Sequence, residues 1–124
     1  MDVKTLPIYA IVPNVAEAVR QGRNVALIAP PGSGKTTQVP KTLLELRSCE
    51  GAIVVVQPRR LACTTVALRV AEEMGVPIGT EVGYIVRYDG QVSSKTRLLF
   101  VTDGVLLRLM EHDPNLSWAS IVVF

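Results

Sequence analysis

Short apolar runs alternate along this sequence with longer stretches in which apolar residues recur every three to four positions. Three runs, NVALI at 24–28, AIVVV at 52–56 and LLFV at 98–101, contain almost no polar residue, which is typical of strands buried on both faces. The stretches between them have the spacing of amphipathic helices. Strands that alternate with helices in this way predict an α/β fold, in which helices cover a parallel sheet.

Prolines and glycines mark the ends of the predicted helices. Pro13 and Gly22 bound the first helix, and Gly75 ends the third. Pro40 is expected in the first turns of the second helix, where its missing N–H has the smallest cost. The four helices predicted in this way span residues 13–21, 34–47, 61–74 and 104–112.

The segment EVGYIVRYDG, residues 81–90, alternates between apolar and polar positions and ends in an Asp-Gly pair. It therefore predicts an exposed strand that turns at this pair into a hairpin. Alternation would place Tyr84, Val86 and Tyr88 on one face of the strand and Arg87 on the other. Such an aromatic row either packs within the hairpin or stacks on nucleic-acid bases beside the arginine.

The composition is that of one small globular domain. The chain has 124 residues, of which 48% are apolar, and a formal net charge of +2. A charge this small gives no reason to expect a polyanionic partner, so nucleic-acid binding would need a local cluster of arginines. The last apolar run, SIVVF at 120–124, begins a strand where the chain stops. We therefore expect one α/β domain that is incomplete, with Trp118 in its core.

Cys49 and Cys63 are the only cysteines. They lack the ligand spacing of a zinc site and form no disulfide framework, so a reducing intracellular compartment is expected. No segment approaches the roughly 18 to 20 apolar residues that a membrane-spanning helix needs, and the N-terminus has no signal-peptide pattern. The sequence predicts a soluble protein with no membrane partner.

The segment APPGSGKTT, residues 29–37, follows the first apolar run and opens the second predicted helix. Its glycines would let backbone N–H groups wrap around phosphates, and the helix N-terminus adds positive potential. Lys35 would reach the β- and γ-phosphates, and the Thr36 hydroxyl would bind Mg²⁺. Ala29 replaces the first glycine of the usual motif, at a strand end where alanine fits. The sequence therefore predicts a nucleoside triphosphate site.

Two further segments place polar residues where a predicted strand ends and a helix begins. QPRRLA at 57–62 contains two adjacent arginines, and VTDGVLLR at 101–108 contains a Thr-Asp pair. Ligands of α/β proteins bind at the carboxyl ends of strands, where these groups suit phosphate contacts. The alternatives are a solvated arginine pair at a helix start and an ordinary N-cap formed by Thr102 or Asp103.

Together these segments resemble motifs of the DEAH-box group of superfamily 2 RNA helicases. GSGKTTQVP is similar to motif I of that family, QPRRLA to motif Ia and TDGVLLR to motif Ib. RVAEEMG and VGYIVRYD also match in the same order, so the resemblance covers the chain from LPIYA to SIVVF. The form APPGSGKTT is most similar to the HrpB-type branch. The resemblance implies a RecA-like P-loop domain of an ATP-dependent enzyme that unwinds or remodels RNA.

The resemblance also implies roles for individual residues. Lys35 and Thr36 would be catalytic through their contacts with the triphosphate and Mg²⁺. Arg69 would stack on the adenine base, unless it is an ordinary surface arginine. The implied partners are ATP, Mg²⁺, RNA and activating proteins, and the enzyme would be a monomer. The implied ATP-binding residues are Gly32, Ser33, Gly34, Lys35, Thr36, Thr37 and Arg69, and the implied RNA-binding residues are Arg59, Arg60, Arg87, Thr102 and Asp103.

The family's Asp-Glu-x-His motif would follow SIVVF directly, and the printed sequence stops there. In the family that Asp binds Mg²⁺ and that Glu positions the attacking water. We therefore expect residues 1–124 to be the first part of a RecA-like domain, with no useful rate of ATP hydrolysis alone. From the residues themselves two other functions stay open, a phosphotransferase such as a small-molecule kinase and a nucleotide-binding module that is indifferent to RNA.

Overall fold

A computed structural model describes residues 12–22, 35–45 and 50–124 of the chain. The chain divides into two compact units, Met1–Glu50 and Gly51–Phe124. The described part of the first unit is helical, and the second unit contains a sheet. The predicted strand at 24–28 lies outside the described residues.

In the first unit, helix α1 spans Val12–Arg20 and helix α2 spans Lys35–Glu45, and the two helices contact each other. Gly22 follows α1 with a left-handed φ of 75°, as expected for a residue that ends a helix. The buried side chains of α1 are Val12 and Ala16. They lie one helical turn apart, so α1 packs through a narrow apolar face.

Pro40 is the sixth residue of α2, within its first two turns as predicted but beyond the first four positions, whose N–H groups have no partner inside the helix. It is fully buried. A proline here has no N–H to donate to the Thr36 carbonyl four residues earlier, so α2 lacks one of its internal hydrogen bonds. Val39 and Leu43 of the same helix are buried. Because packing of an apolar face stabilises helices more than propensity does, their burial offsets the missing hydrogen bond.

The second unit is a mixed five-stranded sheet flanked by two helices. Its elements are β1 (Ala52–Val56), α3 (Arg60–Met74), β2 (Val82–Val86), β3 (Asp89–Gln91), β4 (Leu98–Val101), α4 (Asp103–His112) and β5 (Ala119–Val123). The strand order is β3-β2-β4-β1-β5. The β1–β4, β1–β5 and β2–β4 pairs are parallel, as predicted. β3 is antiparallel to β2, so the sheet is mixed and not wholly parallel.

The helices cover the two faces of this sheet. Every residue of β1 and β4 is buried, as their continuous apolar runs predict. On one face, Val54 and Leu99 form a cluster with Val105 of α4. Side chains alternate between the faces of a sheet, and α3 contacts β2 and β4 and buries Cys63 and Val70. The second unit is therefore a three-layer arrangement with the sheet in the middle.

The ends of α3 and α4 agree with the prediction to within one residue. Gly75 has a left-handed φ of 70°, and its N–H donates to the carbonyl groups of Ala71 and Glu72, which closes the C-terminus of α3. Trp118 is exposed and not in the core, because it lies in the turn before β5. None of the helices described in the two units is long and apolar enough to cross a membrane.

The β2–β3 hairpin differs from the predicted one in two ways. β2 is buried along almost its whole length, because it lies between β3 and β4 and is not an outermost strand of the sheet. Val86 pairs with Asp89, so the two-residue turn is Arg87-Tyr88 and the Asp-Gly pair lies within β3. Tyr88 has a φ of 67° and leaves the strand. The predicted aromatic row on one strand face is therefore not formed.

Gly83 of β2 lies close to the backbone of β3, and it provides a test of the hairpin. A Cβ atom at this position would lie 2.5 Å from the backbone oxygen of Gln91. That oxygen cannot move away without disturbing the strand pairing. We therefore expect Gly83→Ala to lower the free energy of unfolding by about 1–3 kcal/mol and to speed hydrogen exchange of the β3 amides.

Gly104→Ala is the matched control for this measurement. A Cβ atom on Gly104 would meet no other atom within 4 Å, and alanine favours a helix more than glycine does. Hydrogen exchange of β3 should therefore be unchanged in this control. Equal protection of the β3 amides in the two variants would show that Gly83 is not required for the β2–β3 pairing.

Candidate functional site

The described part of the phosphate-binding segment is its helical end. α2 begins at Lys35, within one residue of the predicted helix start. Thr36 and Thr37 are half-buried in its first turn, and the Thr37 hydroxyl accepts a hydrogen bond from the Gln38 amide at 3.0 Å. The side chain of Lys35 lies outside the described part, so its phosphate contact stays a prediction. The same is true of the loop residues Gly32, Ser33 and Gly34.

Three neighbouring strands of the second unit end at the same edge of the sheet. β2, β4 and β1 are adjacent and run parallel, with Ile85 paired to Val101 and Val101 paired to Val56. The segments that follow these strands therefore leave the sheet side by side. Those three segments contain all of the predicted RNA-binding residues, which are Arg59 and Arg60 after β1, Arg87 after β2, and Thr102 and Asp103 after β4.

Arg59 and Arg60 begin α3 and have exposed side chains. Arg59 is the N-cap residue, with an extended backbone, and its side chain does not cap the helix. Its carbonyl accepts the Cys63 N–H at 2.9 Å. The backbone of Arg59 thus closes the first turn, while both guanidinium groups stay accessible beside the positive end of the helix. An anion would be favoured at this position.

Thr102 and Asp103 lie at the start of α4, as Arg59 and Arg60 lie at the start of α3. The Thr102 carbonyl accepts the Leu106 N–H at 2.9 Å, so the predicted N-cap is confirmed for the backbone. Its hydroxyl makes no capping hydrogen bond. The Asp103 carboxylate instead accepts the Gly104 N–H at 3.0 Å. Thr102 is half-buried, and because its hydroxyl is not used to cap the helix, that hydroxyl can bind a ligand.

Arg87 and Tyr88 form an exposed turn at the end of β2. Tyr88 is 85% exposed, and the Arg87 Cζ atom lies 4.8 Å from the centre of its ring, within the range of a cation–π contact. The sequence pattern identified Arg87 as a candidate and missed Tyr88 as a separate exposed aromatic residue. The reason is that strict alternation treats position 88 as part of a continuing strand.

Arg69 lies on the exposed side of α3, more than two turns from the helix start. Its side chain is 67% exposed, and its Nε atom lies 3.6 Å from the Glu73 carboxylate. Because the Arg69 side of this pair is open to water, the pair contributes only about 0–1 kcal/mol to stability, so it can give way to another contact of the guanidinium. The predicted contact with adenine stays a prediction.

Two buried titratable side chains lie near this edge, on β2 and α3. The Tyr84 hydroxyl donates a hydrogen bond to Asp89 Oδ2 at 3.0 Å. Burial raises the pKa of Tyr84, and the bond to Asp89 raises it further. Burial also raises the pKa of the Cys63 thiol to about 11, so this thiol is protonated at neutral pH and is a poor nucleophile. Among the described residues, no group of three or more His, Cys, Asp and Glu could hold a metal ion.

The sequence is similar to a segment of ATP-dependent RNA helicases. It is 43% identical over 122 residues to the pre-mRNA-splicing factor ATP-dependent RNA helicase DEAH10 of Arabidopsis thaliana, covering 97% of this chain and 17% of that protein. It is also 43% identical over 120 residues to the probable ATP-dependent RNA helicase DHX40 of Homo sapiens, covering 96% of this chain and 15% of that protein. No protein-family model matches the chain. The chain thus spans less than a fifth of the length of these curated relatives.

The fold is similar to that of a solved helicase structure. The crystal structure of the Escherichia coli DEAH/RHA helicase HrpB matches with a TM-score of 0.89 and 41% sequence identity. The match covers 95% of this chain and 15% of that one. The predicted RecA-like α/β fold and the resemblance to HrpB are therefore confirmed, with the antiparallel β3 as the one departure in the described sheet.

Proposed function

We propose that this chain is the ATP-binding and RNA-contacting part of an enzyme that couples ATP hydrolysis to RNA unwinding or remodelling. The proposal starts from its similarity to a segment of DEAH-box ATP-dependent RNA helicases. The enzyme would act as an intracellular monomer that other proteins activate. Residues 1–124 would form the part of the first RecA-like domain that precedes the Asp-Glu-x-His motif. The main structural support is the shared sheet edge at which the segments after β1, β2 and β4 meet.

The proposed RNA contacts divide between phosphate and sugar. Arg59 and Arg60 are exposed beside the N-terminus of α3, where a phosphate group gains from both the guanidinium charges and the helix. The Thr102 hydroxyl can donate to a phosphate oxygen. A carboxylate repels phosphate, so Asp103 would accept a hydrogen bond from a ribose 2′-hydroxyl. Contacts of this kind fix the RNA backbone without reading its sequence.

The proposed ATP site lies at the start of α2. Lys35 would bind the terminal phosphates, Thr37 would line the triphosphate site, and Arg69 would stack on adenine. Thr36 is the second residue of the helix and has a half-buried hydroxyl, an oxygen ligand of the kind that Mg²⁺ prefers. Bound Mg²⁺ would neutralise charge on the phosphates during transfer. The remaining loop residues in this proposal are Gly32, Ser33 and Gly34.

The rival functions account for less of the arrangement. A phosphotransferase would need an acceptor pocket and an arginine-rich lid, and it has no use for the QPRR and TDG segments that follow β1 and β4. A nucleotide-binding module that is indifferent to RNA leaves the same arginines without a ligand. The 43% identity to named RNA helicases also favours RNA as the second ligand.

Replacing Arg59 and Arg60 with glutamine tests the proposed phosphate contacts. In the full-length protein the double variant should bind a labelled single-stranded RNA more weakly at every base composition. The slope of log affinity against log salt should also decrease, by roughly 0.7 for each phosphate that the protein no longer neutralises. Fluorescence anisotropy at several salt concentrations measures both quantities.

Lys95→Gln is the control for each of the two arginine substitutions, compared per charge removed. It also removes one exposed positive charge, and it lies before β4, at the opposite edge of the sheet from the proposed RNA site. Its salt slope should equal that of the wild-type protein. If each arginine substitution changes the slope by as much as Lys95→Gln does, the arginines act through net charge and do not contact phosphates.

A further inference from the structure

The exposed Arg87-Tyr88 turn is short and has few contacts of its own. It joins Val86 to Asp89, which pair with each other. On the β2 side, Val86 is buried and so holds its end of the turn. On the other side, β3 has only three residues, and all of them are exposed. Packing of β3 therefore contributes little to the position of the turn.

Tyr84 supplies the missing constraint on that side. It lies two residues before Val86 on the same face of β2, is 7% exposed, and pairs across the hairpin with Gln91. Its hydroxyl donates to Asp89 Oδ2 at 3.0 Å. This hydrogen bond runs diagonally across the hairpin, from a buried side chain to the first residue after the turn. Because the acceptor is a carboxylate, it is stronger than a neutral hydrogen bond.

The same tyrosine lies close to the start of α3. Burial and the neighbouring Asp89 carboxylate raise the pKa of Tyr84. The positive charge of Arg60 lowers this pKa by a smaller amount, and the Cys63 thiol raises it slightly. With the pKa above its ordinary value of 10.0, the hydroxyl keeps its proton throughout neutral pH. At neutral pH Tyr84 therefore stays a hydrogen-bond donor. It lies between two proposed RNA contacts, Arg60 on α3 and Arg87 on the turn.

We propose that the Tyr84–Asp89 hydrogen bond is a positioning contact that holds the Arg87-Tyr88 turn in the shape that binds RNA. This inference rests on the proposed function, in which the turn contacts RNA. Tyr84 does not touch RNA itself, because it is buried within the sheet. It acts through Asp89, which fixes one end of the turn and so the position of the stacked Arg87 and Tyr88 side chains.

A double-mutant cycle in the full-length protein tests this. Tyr84→Phe removes the hydroxyl and keeps the buried ring, so the fold should be retained, with a melting temperature close to that of the wild-type protein. Binding to a labelled single-stranded RNA should weaken about three- to tenfold. In a protein that already has Arg87→Ala and Tyr88→Ala, the same Tyr84→Phe change should have no further effect. Affinity for an ATP analogue without RNA should be unchanged.

Substitutions of Asp89 supply the second arm of the test. Asp89→Asn keeps an oxygen that can accept the Tyr84 hydrogen bond, so RNA affinity should stay within about twofold of the wild-type value. Asp89→Ala removes the acceptor and should weaken RNA binding as much as Tyr84→Phe does. Both variants lack the carboxylate charge, so if Asp89→Asn and Asp89→Ala bind RNA equally, the hydrogen bond from Tyr84 does not position the turn.

The possible outcomes distinguish failure of the positioning role of Tyr84 from failure of the proposed RNA contact at the Arg87-Tyr88 turn. If the Arg87→Ala and Tyr88→Ala double variant binds RNA normally, the turn is no RNA contact, and both the proposed role of Arg87 and this inference are overturned. If that variant binds weakly but Tyr84→Phe binds normally, only the positioning role fails. The positioning role also fails if Tyr84→Phe weakens binding equally with and without the intact turn, since its effect then does not pass through the turn.

Discussion

Replacing Lys35 with alanine is expected to reduce ATP hydrolysis by the full-length protein roughly 10²–10³-fold. The reason is that a positive group placed against the terminal phosphates stabilises charge that develops in the transition state, and removal of one such preorganised contact has this effect. ATP affinity should fall as well, since the same charge attracts the ground-state triphosphate. Steady-state phosphate release and the binding of a fluorescent ATP analogue measure the two effects separately.

Lys95→Ala is the control for this prediction. It removes an exposed lysine from the loop before β4, on the side of the sheet opposite the carboxyl ends of the strands. It should therefore change turnover less than about twofold. Lys35→Arg keeps the charge with a different shape and should still be strongly impaired, because a planar guanidinium does not replace a compact ammonium group. Normal turnover in Lys35→Ala would show that the GSGKTT segment is not the phosphate site.

Phe100→Ala should be among the most destabilising single changes in the described sheet. Phe100 is completely buried in β4, the middle strand of the sheet, and pairs with Val55 and Tyr84 on either side. Removing its ring leaves a cavity between strands that are held by their own pairing, so the site cannot collapse fully. We expect a loss of about 3–5 kcal/mol in the free energy of unfolding.

The chain contains a matched control for this change. Leu107 of α4 is 64% exposed, and Leu107→Ala should alter stability by less than about 0.5 kcal/mol. Native-state hydrogen exchange of the β4 amides measures the local opening of this sheet, separately from the unfolding of other parts of the full-length protein. If the two variants speed exchange at β4 equally, the burial of Phe100 is not what stabilises the sheet.

The elements with strong local signals could be predicted from the sequence. β1 and β4 are continuous apolar runs. α3 ends at Gly75, and glycine is the residue type that most often has the left-handed backbone at a helix end. The hairpin was mispredicted because the Asp-Gly pair is a strong local turn signal. In the fold, Val86 pairs with Asp89, which places the turn two residues earlier, at Arg87-Tyr88.

Pro40 shows a different limit of local reasoning. Proline has a clear preference for the first turn of a helix, yet α2 accommodates it at an interior, fully buried position. Burial energy of a whole helix face outweighs one missing hydrogen bond, and burial depends on distant parts of the chain. Trp118 was mispredicted for the same reason, since its exposure follows from the turn before β5 and not from its own apolar character.

The candidate RNA site could be predicted in part. Each motif could be placed at the end of a strand, because apolar runs followed by helical spacing define that junction. That these junctions meet at one edge follows from the strand order β2-β4-β1, which no local pattern contains. Tyr88 and the Tyr84–Asp89 contact depend on the hairpin register, so neither could be identified before the register was known.

The most direct test of the whole account is ATP turnover by the full-length protein with and without single-stranded RNA. An ATP site and an RNA site in one RecA-like domain predict that RNA raises the rate of phosphate release. They also predict that the Arg59→Gln and Arg60→Gln double variant needs more RNA for half of that stimulation. A rate of ATP turnover that is the same at every RNA concentration would contradict the assignment of this sheet edge to RNA.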